Sequence, residues 1–163
     1  MKKIVMTGGH LTPALAVIKK LLQEGNWRIL FIGRKYTMEG DRAPSIESQV
    51  IPQLGVDFVS INAGRIQRKI TRYFLLSLFK IPLGFFQAFY HLKKFRPDII
   101  LSFGSYQAVP VVFAGWLMKV PIITHEQSLV PGLATRLISL LAKKVAVSWQ
   151  ETLKYFPKKK VVF

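Results

Sequence analysis

Four short stretches carry residue types that can do chemistry. Thr7-Gly8-Gly9-His10 sets two glycines and an imidazole between the apolar run Lys3-Ile4-Val5-Met6 and an apolar-periodic segment that stops at Gly25. Glycines let an anion approach the backbone closely, and the first turn of a helix offers N–H groups without intrahelical partners. A histidine at such a tip has the chemistry of a general acid or base. The same residues also fit a plain tight turn with a hydrogen-bonded histidine, and taken alone they leave both readings open. Gly33-Arg34-Lys35, Phe103-Gly104-Ser105-Tyr106-Gln107 and His125-Glu126-Gln127-Ser128 are the other polar or glycine-bearing stretches.

Apolar runs with helical segments between them must position these four. Strands are expected near residues 2–6, 28–32, 57–61, 98–103, 120–124, 144–148 and 160–163. Helices are expected near 13–24, 45–54, 70–94, 107–118, 131–142 and 150–156, the first with Thr12 as N-cap and Pro13 in the first helical position. Val, Ile and Phe fill the strand runs without strict alternation, as they do where helices cover both faces of a parallel sheet. The fold class is therefore α/β, a Rossmann-like doubly wound parallel sheet, with residues 1–163 forming a single domain. In such sheets ligands bind beyond the carboxyl ends of the strands, where all four stretches fall.

Composition excludes several classes. The chain has 163 residues, half of them hydrophobic, and no cysteine, so disulfides and thiolate metal sites are ruled out. The apolar stretch before Thr7 is too short for a signal peptide, and a cytosolic location is the expectation. No G-x-G-x-x-G follows the first strand and no acid follows the second, which argues against NAD; a Walker A loop is missing too. His10, His91 and His125 show no metal-ligand spacing, so neither a metal nor a cofactor is expected.

The net charge of +16 calls for an anionic partner: nucleic acid, membrane or phosphorylated substrate. No acid occurs from Ser60 to Pro97, where Arg72, Lys80 and other cations mingle with Tyr73, Phe74, Phe79 and further aromatics. This span makes a poor transmembrane helix, since Lys80 near mid-bilayer would cost about 2.5–3.5 kcal/mol and Pro82 would break it. An interfacial segment fits better, with a loop before Pro82 facing outward and one helix face buried against the sheet. Nucleic acid is set aside, because the aromatics lie in long apolar runs without a recognisable module.

The stretches TGGHLTPALAV, FGSYQAVPVVFAGW, VPIITHEQSLVPGLATRL and AKKVAVSW resemble, in order, the N-terminal half of the MurG-type glycosyltransferases. The resemblance implies one half of a two-domain GT-B fold. It implies transfer of N-acetylglucosamine from UDP-GlcNAc to a lipid-diphosphate-linked sugar acceptor, at the cytoplasmic face of an anionic membrane. It also implies a C-terminal donor-binding domain beyond this chain, either in a longer polypeptide or on a separate subunit. In the second case the chain would be a non-catalytic acceptor-binding and membrane-anchoring subunit.

Carried over residue by residue, Thr7, Gly8, Gly9 and His10 match the loop facing the donor diphosphate, with Val5-Met6 where the family has a further glycine pair. Gly104, Ser105 and Tyr106 match a Gly-Gly-Tyr loop on the acceptor side, with serine for the second glycine; Tyr106 fits an acceptor wall or the core. His125, Glu126 and Gln127 match in full, and Ser128 replaces an asparagine. His10 is the implied general base, or else a residue that stiffens the loop or touches phosphate. Glu126 would position the acceptor or orient a neighbour, with His125 behind it in the core. Trp116 matches a position of the family's membrane patch.

Overall fold

The computed structural model describes residues 1–37, 43–63 and 72–163, with side chains throughout except over 72–80. Among these residues seven parallel strands form: β1 (Lys2–Thr7), β2 (Trp27–Gly33), β3 (Asp57–Ser60), β4 (Ile99–Ser102), β5 (Ile122–Glu126), β6 (Lys144–Val147) and β7 (Val161–Val162). They pair in the order β3-β2-β1-β4-β5-β6-β7. The helices are α1 (Leu11–Glu24), α2 (Ile46–Gln53), α3 (Arg72–Phe95), α4 (Ala108–Leu117) and α5 (Leu133–Leu141), followed by a 3₁₀ segment at Gln150–Tyr155.

Alternate side chains of each strand enter opposite cores, which is why the strand runs read as continuously apolar. Ile4, Met6, Ile29 and Phe31 pack with Ala14 and Ile18 of α1 and Ile51 of α2. Val5, Leu30, Ile32 and Ile100 face the other way, onto Ala88 and Leu92 of α3, Val111 and Val112 of α4 and Ile138 of α5. Lys160 ties the last strand to α5 by donating from Nζ to the carbonyls of Ser139 (3.3 Å) and Leu140 (2.8 Å), at the end where the helix dipole favours a cation.

Two expectations need correction. Helix α1 begins at Leu11 with His10 as its N-cap, not at Pro13 behind Thr12. Proline is tolerated anywhere in the first turn, where no N–H is needed, so Pro13 does not fix the start. Nor does a loop precede Pro82: the helix expected near 70–94 is α3, which runs unbroken through Pro82 from Arg72 to Phe95. The turns after Pro82 are anchored by the buried Ala88, Leu92 and Phe95, which offsets the missing ladder bond. The side chains of Arg72, Tyr73, Phe74, Phe79 and Lys80 lie outside the described set. Among the described residues no helix is long and apolar enough to cross a membrane.

Candidate functional site: a cleft at the strand-order reversal

The strand order reverses between β1 and β4, and the loops after these strands meet there. The Phe103 N–H donates to the Thr7 carbonyl at 2.7 Å. Gly8 has φ of 135°, and a Cβ on it would lie 2.8 Å from backbone atoms of Phe103. Only glycine fits at that junction. On the other loop Gly104 and Ser105 both have positive φ, 68° and 72°. Ser105 thus holds a left-handed conformation that costs a residue with Cβ about 1–2 kcal/mol.

A cleft of about 510 Å³ opens beyond these loops, lined by His10, Ser105, Tyr106, Glu126, Ser128 and the first turn of α5. His10 stands at its rim as the N-cap of α1, and Glu126 enters it from the end of β5 although only 2% exposed. The carboxylate is held by its own loop. Glu126 Oε1 accepts from the Ser128 N–H at 2.9 Å and from Gln127 Nε2 at 3.3 Å, and the same Nε2 donates to Ser128 Oγ. From behind, the Trp149 indole donates to the Gln127 carbonyl at 3.0 Å, and Thr152 Oγ1 to the carbonyls of Ser128 and Leu129.

His125 sits one layer deeper. Its ring meets Phe103 edge-on with centroids 5.9 Å apart, and Nε2 lies 3.0 Å from Ser148 Oγ. Burial pushes its pKa below the ordinary histidine value; the Glu126 carboxylate opposes this and His10 adds to it. A neutral ring donating from Nε2 leaves a bare lone pair on the buried Nδ1, which costs less than an orphaned N–H.

Two further features mark the cleft. Helix α2, away from it, is capped by Ser45, whose Oγ accepts from the Ser48 N–H. The N-caps of α1 and α5, His10 and Gly132, both line the cleft and make no side-chain capping bond. Second, the buried side-chain polar atoms without a partner among the described residues belong to Thr7, Gln107, His125 and Gln127. Thr7 and His125 lie at the carboxyl ends of β1 and β5, and Gln107 and Gln127 on the loops after β4 and β5. Native structures leave few such atoms, and those they leave call for an explanation.

The structure thus brings His10, Ser105, Tyr106, Glu126 and Ser128 together. Thr7, Gly8 and Gly104 are buried beneath them, Gly9 rests against Ser105, and Gln127 braces Glu126. The loop Gly33-Arg34-Lys35 does not line the cleft. Arg34 turns back to α2, where its Nε lies 3.2 Å from Glu47 Oε1 and its carbonyl accepts from Ser45 Oγ at 2.6 Å. Gly132, Leu133, Ala134 and Thr135 line the cleft without having been expected there. Their signal was Pro131-Gly132 before an apolar-periodic run, a helix start at the carboxyl edge like that of α1. Among the described residues no cluster of three metal-ligating side chains occurs.

Residues 5–147 match the family model of the glycosyltransferase family 28 N-terminal domain. The chain belongs to that family. A UDP-N-acetylglucosamine–N-acetylmuramyl-(pentapeptide) pyrophosphoryl-undecaprenol N-acetylglucosamine transferase of Bacillus cereus is 40% identical over 171 residues, covering 100% of this chain and 45% of the relative. The enzyme of that name from Lachnospira eligens is 37% identical over 166 residues, covering 99% of this chain and 44% of its own length. The family 28 domain therefore spans about half the length of these relatives. It superposes on the crystal structure of MurG from Acinetobacter baumannii with a TM-score of 0.77 and 26% identity, over 99% of this chain and 44% of that one. A UDP-GlcNAc 2-epimerase from Neisseria meningitidis shares the fold, with a TM-score of 0.69 at 17% identity over 99% of this chain and 46% of that one.

Proposed function

We propose that this domain is the acceptor-binding half of an inverting GT-B glycosyltransferase. In this reading N-acetylglucosamine moves from UDP-GlcNAc to a lipid-diphosphate-linked sugar, a peptidoglycan lipid intermediate. The supporting observation is the convergence of His10, after β1, and Glu126, at the end of β5, in one cleft at the strand-order reversal. The relatives' names supply the substrates; the geometry supplies roles.

His10 takes the proton of the acceptor hydroxyl as that oxygen bonds to the anomeric carbon of the donor sugar. The bond from that carbon to the UDP oxygen breaks, and the electron pair leaves with the diphosphate. The uncapped first turn of α1 and the backbone of Gly8 and Gly9 offer N–H groups to that developing charge. Glu126, fixed by Ser128 and Gln127, accepts a hydrogen bond from the acceptor and orients it, with Ser105 and Tyr106 as the facing wall. The diphosphate of the acceptor lies toward the uncapped start of α5. A C-terminal donor-binding half, in the same polypeptide or on a partner, closes the cleft.

The domain works at the cytoplasmic face of the membrane, held there peripherally. Trp116 is half exposed and stacks on Phe113 with centroids 5.9 Å apart, and Phe86 and Tyr90 of α3 are exposed as well. Aromatics of this kind favour the headgroup layer, and a chain of net charge +16 is drawn to anionic lipid.

Equilibrium binding tests the acceptor assignment. The 163-residue chain should bind a water-soluble, short-chain analogue of the lipid-diphosphate acceptor more tightly than UDP-GlcNAc. Tighter binding of UDP-GlcNAc would make this the donor side and overturn the assignment.

A further inference from the structure

The turns at the amino ends of the strands lie at the end of the sheet opposite the cleft. Arg96 stands before β4, Lys119 before β5, Lys143 and Lys144 at the start of β6, and Lys158 and Lys159 before β7. All six are exposed, and among the described residues none of them forms an ion pair. Strands β4, β5, β6 and β7 are neighbours in that order, so at about 4.8 Å per strand these turns span roughly 15 Å. That is less than two Debye lengths of about 8 Å at physiological salt, so the charges act as one field.

The fold's own negative charge does not balance them. Helices α3, α4 and α5 end at this edge, and each C-terminus carries a charge of about −0.5. Lys93 and Lys94 in the last turn of α3, and Lys160 at the end of α5, already answer two of those three ends. Asp98 is the one acid in these turns, and its Oδ2 accepts from the Lys3 N–H at 2.7 Å. Six full positive charges therefore stand against about −1.5 from the helix ends and one carboxylate. Such an excess repels itself unless an anion covers it.

Substrate phosphate is out of reach, because the cleft lies at the far end of the same strands, about 15 Å along β5. A bilayer laid here would hold the cleft a strand length away from the lipid that carries the acceptor; this exclusion rests on the acceptor reading above. Nucleic acid fits less well. These turns hold no exposed aromatic to stack a base, and all the cations but Arg96 are lysines, not the arginines that grip phosphate bidentately. We infer that this edge docks an acidic face of a partner protein, drawn in by charge from the side opposite the substrates. Such a partner binds without entering the cleft.

The probe is a short poly-L-glutamate, whose binding to the 163-residue chain should weaken as salt rises. Lys143→Glu with Lys144→Glu should weaken it roughly tenfold. Lys19→Glu with Lys20→Glu, exposed on α1, changes the net charge equally and should weaken it less than about threefold. Lys158→Glu with Lys159→Glu, on a turn outside any strand, should match the first pair and keeps the test available should that pair fail to fold. Equal losses from the edge pairs and the α1 pair would reduce the effect to net charge and overturn the inference. A duplex oligonucleotide that outbinds poly-L-glutamate and is lost in the edge variants would overturn it in favour of nucleic acid. Anionic vesicles lost in the edge variants but kept by the α1 pair would overturn it in favour of lipid. The short-chain acceptor analogue should bind every variant as before, so a failure at this edge leaves the acceptor reading standing, whereas loss of the analogue from the wild-type chain removes that reading alone.

Discussion

Ser105 is wedged against Gly9: a Cβ built on Gly9 would lie 2.7 Å from the Ser105 Cβ. The contact joins the loops after β1 and β4 at the floor of the cleft, where Ser105 holds its left-handed conformation. Gly9→Ala should therefore destabilise the chain by about 1–3 kcal/mol through overpacking. Ser105→Gly should stabilise it by up to about 1 kcal/mol, since glycine adopts that φ without strain but loses more entropy. At this chain length that is a rise in Tm of about 2–4 °C. In the double variant most of the Gly9→Ala cost should vanish, and additive costs would contradict the contact.

The loop bearing Glu126 is held from the segment after β6. Replacing Thr152 by valine keeps its shape but strands the carbonyls of Ser128 and Leu129, at a cost of about 1–3 kcal/mol. Trp149→Phe removes one more bond, to the Gln127 carbonyl. Hydrogen exchange at residues 127–130 should quicken in both variants, with strands β1 and β4 unchanged. Uniform quickening across the sheet would mean the bonds serve global stability and not the loop.

Acid should weaken the fold by way of two histidines. Burial lowers the pKa of His125, and burial together with Lys94 lowers that of His91. Between the lowered folded values and the ordinary 6.5 of the unfolded chain, the unfolded state binds more protons. Their contribution is thus complete above about pH 6.5 and is lost as the pH falls below it. Tm measured from about pH 7.5 down to pH 5 should decline, and His125→Gln and His91→Gln should each flatten the slope. A Tm that rises on acidification in the wild type and falls in both variants would contradict this.

Most of the architecture was readable because it rests on local pattern. Buried parallel strands declare themselves as Val-, Ile- and Phe-rich runs, and each observed strand lies within about two residues of its expected place, within the usual scatter of element boundaries. What escaped depends on contacts distant in sequence. Arg34 looked like an edge residue until Glu47 and Ser45 claimed it. The helix passes through Pro82 because residues beyond it are buried. Of the site, His10, Ser105, Tyr106, Glu126 and Ser128 were legible as glycine-bearing or polar loops at one sheet edge. The start of α5 was not, because Gly132, Leu133 and Ala134 contribute backbone and carbon instead of chemistry-bearing side chains.

The membrane assignment has a direct check. Binding to vesicles containing anionic lipid should weaken as salt rises, because screening shortens the reach of the chain's positive charge. Trp116→Glu should reduce binding severalfold without lowering Tm, since the side chain is exposed. Equal binding to neutral and anionic vesicles at every salt concentration would contradict the electrostatic part of the account.

The most direct test joins residues 1–163 to the part of the Bacillus cereus relative that this chain does not cover and follows transfer of labelled N-acetylglucosamine from UDP-GlcNAc to a lipid-diphosphate-linked muramyl-pentapeptide. The joined enzyme should transfer, and His10→Ala should lower the rate by about 10²–10⁴ while UDP-GlcNAc affinity stays nearly constant. A joined protein that folds and binds UDP-GlcNAc yet transfers nothing to that acceptor would contradict the account. So would one in which His10→Ala turns over at the wild-type rate.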